Sequence, residues 1–316
     1  PEYQLNAVRL LADIVRPSLR KTDFDLEKKV IIEEIQMYDD QPPFGADEKI
    51  RAIRFGKHPL SRSVLGTVKS INDLTVEAMR EYFKYRYSPS NLVLIAAGNV
   101  DFDKVVKTVT ESCGDWEPVE ASRVTGAVEE NVAFELIQKK IATQEYVLEL
   151  TDGPNATDPH RYAAKLLSII IGDDTGSRLY WELVDSGLAE HASLGHHEYQ
   201  DAGVMMTFMS CDPNNAVDNV KRISDVYKDA EANGVTEAEL VQVKSKIGSR
   251  QVLASERPCG RLFTVGSDWI YRRENVSVKD DIGLVDAVTV DEVNAVLVKY
   301  PLSKTTTVAI GPLGHF

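Results

Sequence analysis

Two segments of this chain recur further along it at one and the same distance. TDFDLEKKVIIEEIQMYD, from Thr22, is matched by TEAELVQVKSKIGSRQVL, from Thr236; 236 − 22 gives an offset of 214, and Leu26 faces Leu240. INDLTVEAMREYFKYRYSPSNLVLIAAG is matched by VDAVTVDEVNAVLVKYPLSKTTTVAIG. There Thr289 stands to Thr75 at 289 − 75, again 214, and Val293, Val296 and Leu297 match Met79, Tyr82 and Phe83. Separate segments sharing one offset mark a duplication, so the chain must fold as one kind of unit built twice.

The local pattern fills in that unit. Residues 2–16 read as an amphipathic helix stopped by Pro17, and 22–40 as a long helix with Thr22 or Asp23 as N-cap. QPPFG (41–45) breaks the chain, 47–55 reads as a further helix, 70–89 opens with turn residues and continues as a helix carrying Ala78, Met79, Tyr82 and Phe83, and the apolar run 91–101 reads as a buried strand. A helix over DFDKVVKTVTESC (101–113) precedes the polar, turn-rich stretch 114–130. The pattern restarts at 131 with two strands, a helix over 158–171, a helix at RLYWELVDSG, two strands over 189–212 and a helix over 214–233. The expected fold is therefore α+β: two homologous domains, each a mixed or antiparallel sheet covered by helices. Residues 1–115 are the C-terminal part of the first, 116–130 the linker, and 131–316 the second. The restart at 131, set back by 214, puts the start of the first copy roughly 80 residues before residue 1. The first domain is expected to be incomplete.

The helix at 22–40 carries the one arrangement that packing does not explain. Advancing 100° per residue from Phe24, the apolar side chains Leu26, Val30, Ile31, Ile35 and Met37 share one broad arc, and Glu27 and Glu34 fall inside it at about 300° and 280°. Seven residues separate the two carboxylates, which stack on one line about 10 Å apart. Acids on an apolar stripe need a cation, donors or a metal beside them, unless that end of the helix is exposed. Their counterparts in the second copy are Val241 and Gly248, so the pair belongs to one copy only.

Composition narrows the partners. The formal charge of −13 argues against nucleic acid, and no apolar run is long enough to span a membrane. Cys113, Cys211 and Cys259 are odd in number and widely spaced, which favours reduced thiols over a disulfide framework. The six histidines, His58, His160, His191, His196, His197 and His315, show no metal-ligand spacing. On strands the group His191, His196, His197 and Glu198 alternates faces, and His58 sits in the loop GKHPLSR; all of these read as structural or surface residues.

Four pieces, LADIVRPSLRKTDFDLEKKVIIEEI, GKHPLSRSVLGT, RYSPSNLVLIAAGNVD and GDDTGSRLYWELVDSGLA, resemble in order the inverted-motif zinc peptidases of the pitrilysin and insulinase type, closest to the short-chain branch that includes the mitochondrial processing peptidase. In that family an H-x-x-E-H helix supplies two histidine ligands and the general base, and a Glu roughly 75 residues on completes the zinc site, with another Glu seven residues before it. The resemblance places Glu34 at the ligand position and Glu27 at the auxiliary one. It implies zinc in the full-length protein and a metalloendopeptidase acting on peptides or unfolded polypeptides. H-x-x-E-H does not occur in these 316 residues, so this stretch alone is expected to be inactive and to hold no zinc. Active members also carry an Arg and a Tyr in the second domain near a GLAY-like turn. Here the turn reads ELVDSGLAEHAS, with Glu190 in the place of the Tyr and no Arg after Arg178. That departure implies a homologous partner subunit that brings the pair, in a heterodimer or a homodimer. The alternative is a non-catalytic scaffold subunit of the same family, which the lost Arg/Tyr pair favours and the retained acids disfavour.

Overall fold

The structure is a computed structural model that describes residues 2–41, 43–123, 126 and 131–316. Pro42 of the expected break and residues 124, 125 and 127–130 of the expected linker lie outside the described residues. The chain forms two compact units that interleave in sequence: Pro1–Gln36, Leu65–Val124 and Ala254–Ile270 in unit 1, and Met37–Val64, Thr125–Leu253 and Tyr271–Phe316 in unit 2.

Unit 1 holds helices α1 (Gln4–Val15), most of α2 (Lys21–Asp40), α4 (Val68–Asp73), α5 (Val76–Arg86), α6 (Phe102–Cys113) and most of α10 (Pro258–Arg272). Helix α2 begins at Lys21, which puts Thr22 and Asp23 in its first turn rather than at the cap, with Asp23 paired to Arg20 at 2.7 Å. The opening of 70–89, expected as turn residues, is the end of the short helix α4, and the helix expected after it is α5, which the Thr75 hydroxyl starts by accepting from the Ala78 N–H. Helices α1 and α6 pack together, and with Leu92, Leu94 and Trp116 they line an apolar groove of about 370 Å³. The run 91–101 is not the buried strand its composition predicts. Leu92, Val93 and Leu94 are 36, 40 and 47% exposed, and no residue of the run is in a strand. A strand exists only by pairing, and among the described residues of unit 1 none offers it a ladder.

Unit 2 holds α3 (Ala46–Phe55), β1 (Phe134–Gln138), β2 (Glu145–Gly153), α7 (Arg161–Gly172), β3 (His191–Glu198), β4 (Gly203–Cys211), α8 (Ala216–Asn233), α9 (Glu237–Ser255, up to Leu253), α11 (Val278–Ala287), α12 (Val290–Lys299) and β5 (Thr306–Gly311). The strands make one open mixed sheet in the order β1-β5-β2-β4-β3, parallel only between β1 and β5. Both faces are covered. Val147, Met205, Met209 and Ala309 point into a core shared with α7, α8, α9, α11 and α12. Leu148, Leu150, Val204, Val308 and Ile310 point the other way, onto Ala46, Ile50 and Phe55 of α3. Alternation along β2 explains this: successive side chains serve opposite faces, so a strand buried on both sides reads as almost continuously apolar.

The duplication is visible in three dimensions. Thr75 and Thr289 cap α5 and α12 in the same way, each accepting a hydrogen bond from the N–H three residues on. Helices α4 and α11 end at Asp73 and Ala287, 214 apart, and the residues that follow, Leu74 and Val288, both turn extended.

Candidate functional site

Helix α2 is continuous over 20 residues, and its Lys28 Nζ donates to the carbonyls of Asn72 and Leu74 at 2.9 Å each, which ties it to the end of α4. On this rod Glu27 is exposed and Glu34 half-buried. The apolar arc expected to be interior is open: Leu26 is 61%, Val30 49% and Met37 44% exposed. The corresponding helix α9 shows what closes such an arc. Its Leu240, Val243 and Ile247 are buried in the core made by the sheet and α7, and among the described residues unit 1 has no sheet. Helix α9 also carries acids only in its first turn, Glu237 and Glu239.

A catalytic zinc takes three protein ligands and keeps a fourth position for water. Among the described residues no group of three or more His, Cys, Asp or Glu side chains is placed to hold a metal ion. The residues present therefore do not make a zinc site by themselves, and α2 offers carboxylates only.

Each histidine is engaged elsewhere or isolated. His196 Nε2 donates to the Pro154 carbonyl at 2.8 Å, and burial lowers its pKa against that bond. His197 points to the opposite face of β3, its pKa lowered by burial and then by neighbouring His196. His191 Nε2 lies 2.9 Å from Ser193 Oγ. His160 Nδ1 bonds Asp158 at 2.9 Å at the start of α7. His58 Nδ1 accepts from the Leu60 N–H at 3.2 Å, its ring lies against Phe55, and its buried Nε2 has no hydrogen-bond partner among the described residues. His315 is exposed. The three cysteines are free thiols.

The second copy's clamp position is equally plain. Arg178 is tied down by Glu239 (2.8 and 3.1 Å), Asp229 (3.3 Å) and the Gly234 carbonyl (2.9 Å). Glu190 is exposed. Arg178 is thus engaged within unit 2, and Glu190 presents a carboxylate where the resemblance expects a tyrosine hydroxyl.

Periodicity passed over three buried charged residues of unit 2. Glu149, 4% exposed in the middle of β2, faces Thr207 on β4 and Thr307 on β5. Thr307 Oγ1 donates to its Oε1 at 3.5 Å, Thr207 bonds the Tyr227 hydroxyl of α8, and burial pushes the Glu149 carboxyl up to about 7. Glu145 is fully buried and accepts from the Leu313 N–H at 3.3 Å, and burial raises its pKa too. Arg54 of α3, 1% exposed, pairs with Asp152 at 2.5 Å and donates to the Asn131 carbonyl at 3.2 Å. For the two glutamates the available signal was their spacing, four apart with only Tyr146, Val147 and Leu148 between them.

Residues 73–247 match the family model described as the peptidase M16 inactive domain. An uncharacterized zinc protease of Mycobacterium tuberculosis is 30% identical over 316 residues, which cover 98% of this chain and 72% of that protein. A protease from Helicobacter pylori superposes with a TM-score of 0.88 at 20% identity, over 98% of this chain and 77% of the other. The peptidase M16 inactive domain from Pseudomonas fluorescens superposes equally well, 0.88 at 21% identity over 97% and 74%. With the matched family model and the 30% identity pointing the same way, this chain belongs to the peptidase M16 family.

Proposed function

We propose that the chain is the larger part of a zinc metalloendopeptidase subunit acting on peptides or unfolded polypeptides, with Glu34 a ligand to the metal and Glu27 a supporting acid beside it. The observation that carries this is the pair itself: two carboxylates on one line of a continuous helix, among apolar side chains, in one copy of the repeat and not in the other. The names of the relatives support zinc chemistry. In this reading the histidine ligands and the general base come from outside these 316 residues, and no catalytic step is assigned to the residues present. The engaged Arg178 and the Glu190 substitution support a second, homologous subunit that holds the substrate.

Metal content tests the assignment. The 316-residue chain should retain no zinc after dialysis and cleave no peptide. The protein extended upstream to include an H-x-x-E-H should retain one zinc, and Glu34→Gln should weaken it at least 100-fold, with Glu27→Gln weakening it less. Wild-type affinity in the extended Glu34→Gln protein would remove Glu34 from the site. Tight zinc binding by the 316-residue chain would overturn the reading altogether. An upstream sequence without H-x-x-E-H would favour the scaffold role to which the Arg178 and Glu190 positions already point.

A further inference from the structure

No described side chain of α2 is buried, so burial alone does not set how this rod is turned about its own axis. Two cations of unit 1 hold it. Lys28 Nζ donates to the carbonyls of Asn72 and Leu74, 2.9 Å each, at the end of α4, where helix carbonyls lack intrahelical partners. The same ammonium lies 5.5 Å from the centre of the Phe24 ring. At the entry to the helix, Arg80 Nη2 of α5 donates to the Leu19 carbonyl at 2.9 Å. Leu19 stands at φ 45°, a left-handed conformation that leucine rarely adopts and that persists only where the surroundings enforce it.

The second copy repeats the arrangement with other side chains. Asn294, 214 residues after Arg80, accepts from the Val235 N–H at 2.9 Å just before α9. The left-handed residue there is Gly234, at φ 73°, where a Cβ would stand 2.8 Å from Asn294 Oδ1. Lys244 Nζ donates to the Asp286 carbonyl at 2.8 Å, and Asp286 is 214 residues after Asn72. Helix α9 also has a core that grips Leu240, Val243 and Ile247. In the copy that carries the two acids, both pins are cationic and the left-handed entry residue is a leucine in place of a glycine.

We infer that Lys28 and Arg80 are positioning residues for the carboxylate helix: they fix where α2 begins and how it is turned, and so aim Glu27 and Glu34. A side chain about 5–6 Å from a helix axis moves about 2 Å when the helix rolls by about 20°. A metal ligand must be held to within about 0.5 Å. The purpose given to the pins rests on the reading of Glu34 as a ligand, whereas their hold on α2 does not.

The experiment has two arms. In the 316-residue chain, amide exchange is followed across α2 and α9. Lys28→Met and Arg80→Met should each speed exchange in α2 about fivefold, and the double variant more, with α9 unchanged. Lys28→Arg keeps the donors and should restore slow exchange. In the protein extended upstream to include an H-x-x-E-H, the double variant should weaken zinc about tenfold, with unchanged circular dichroism. Glu34→Gln in that protein tests the ligand reading by itself. Wild-type exchange in α2 of the double variant would overturn the inference, as would failure of Lys28→Arg to restore it. Wild-type zinc affinity in the folded, extended double variant would do the same if Glu34→Gln loses the metal. If Glu34→Gln keeps the metal, the ligand reading falls and the exchange arm alone decides whether the pins hold α2.

Discussion

The buried carboxyl of Glu149 makes unit 2 less stable as pH rises, and Glu149→Gln should abolish that dependence. Glu149 is flanked in the sheet by Thr207 and Thr307 and faced by Tyr227 from α8, with its Oε2 lacking a hydrogen-bond partner among the described residues. Nothing cationic faces it among these partners, so burial raises its pKa from 4.5 to about 7. The sign follows from which form the fold prefers. Below pH 4.5 the carboxyl is neutral both folded and unfolded, and nothing is lost. Between 4.5 and about 7 the unfolded chain ionises first, so stability falls with rising pH. Above 7 both states are charged and the loss is complete. At 1.36 kcal/mol per pKa unit the whole loss is about 3 kcal/mol, most of which falls between pH 5 and pH 8. That is a large part of the ~5–15 kcal/mol by which domains are stable. Urea unfolding at pH 5 and pH 8, followed by amide exchange in Glu145–Gly153, measures it locally. Wild type should lose about 2–3 kcal/mol more than Glu149→Gln between the two conditions. Parallel pH profiles for the two proteins would refute the reasoning.

Two further outcomes are expected. Asp158 is partly buried, which works against its charge, but bonds from the His160 N–H and imidazole, Lys299 Nζ and the Tyr300 hydroxyl outweigh this and hold its pKa well below the usual carboxylate range. Its contribution is present above the ordinary carboxylate pKa and disappears as pH falls through the depressed one. Asp158→Asn should therefore cost about 2 kcal/mol at pH 7 and much less near pH 2, read from thermal melts. Thr289→Ala removes a reciprocal capping box with Glu292 and should cost about 1 kcal/mol in α12. Thr75→Ala removes a single cap bond and should cost less; an equal or larger loss at Thr75 would count against the capping account.

What could be read from the sequence was what is encoded locally or by repetition. The long helices α2, α8 and α9, the strands β1–β4 and the offset of 214 follow from periodicity and self-comparison. The residues before Thr75 read as a turn because Ser70, Asn72 and Asp73 are turn formers, whereas the capping box of Thr67 and Ser70 makes Val68–Asp73 a short helix. The run at 92–97 was misread for a different reason. Its composition is that of a central strand, as in its counterpart β5, but composition supplies only the demand for partners. In unit 2, β5 meets that demand with β1 and β2; among the described residues of unit 1 nothing does.

The same distinction governs the carboxylate helix. Its angular pattern set Glu27 and Glu34 among apolar side chains, which argued for burial, and in these residues the arc is open. Pattern states what a helix face requires, and burial depends on which elements are there to meet it. Helix α3 makes the point in reverse. Its stripe of Ala46, Ile50 and Phe55 called for a sheet, and the only clue to which sheet was Arg54, a charge buried at 1% exposure that pays for its place through Asp152 and the Asn131 carbonyl. A buried charge is tolerated only where its partners wait, so Arg54 specifies the seat of α3 more narrowly than the apolar stripe around it does. Replacing Arg54 with Met, which keeps the volume and removes the charge, should then leave α3 able to bind while loosening its choice of position along the sheet.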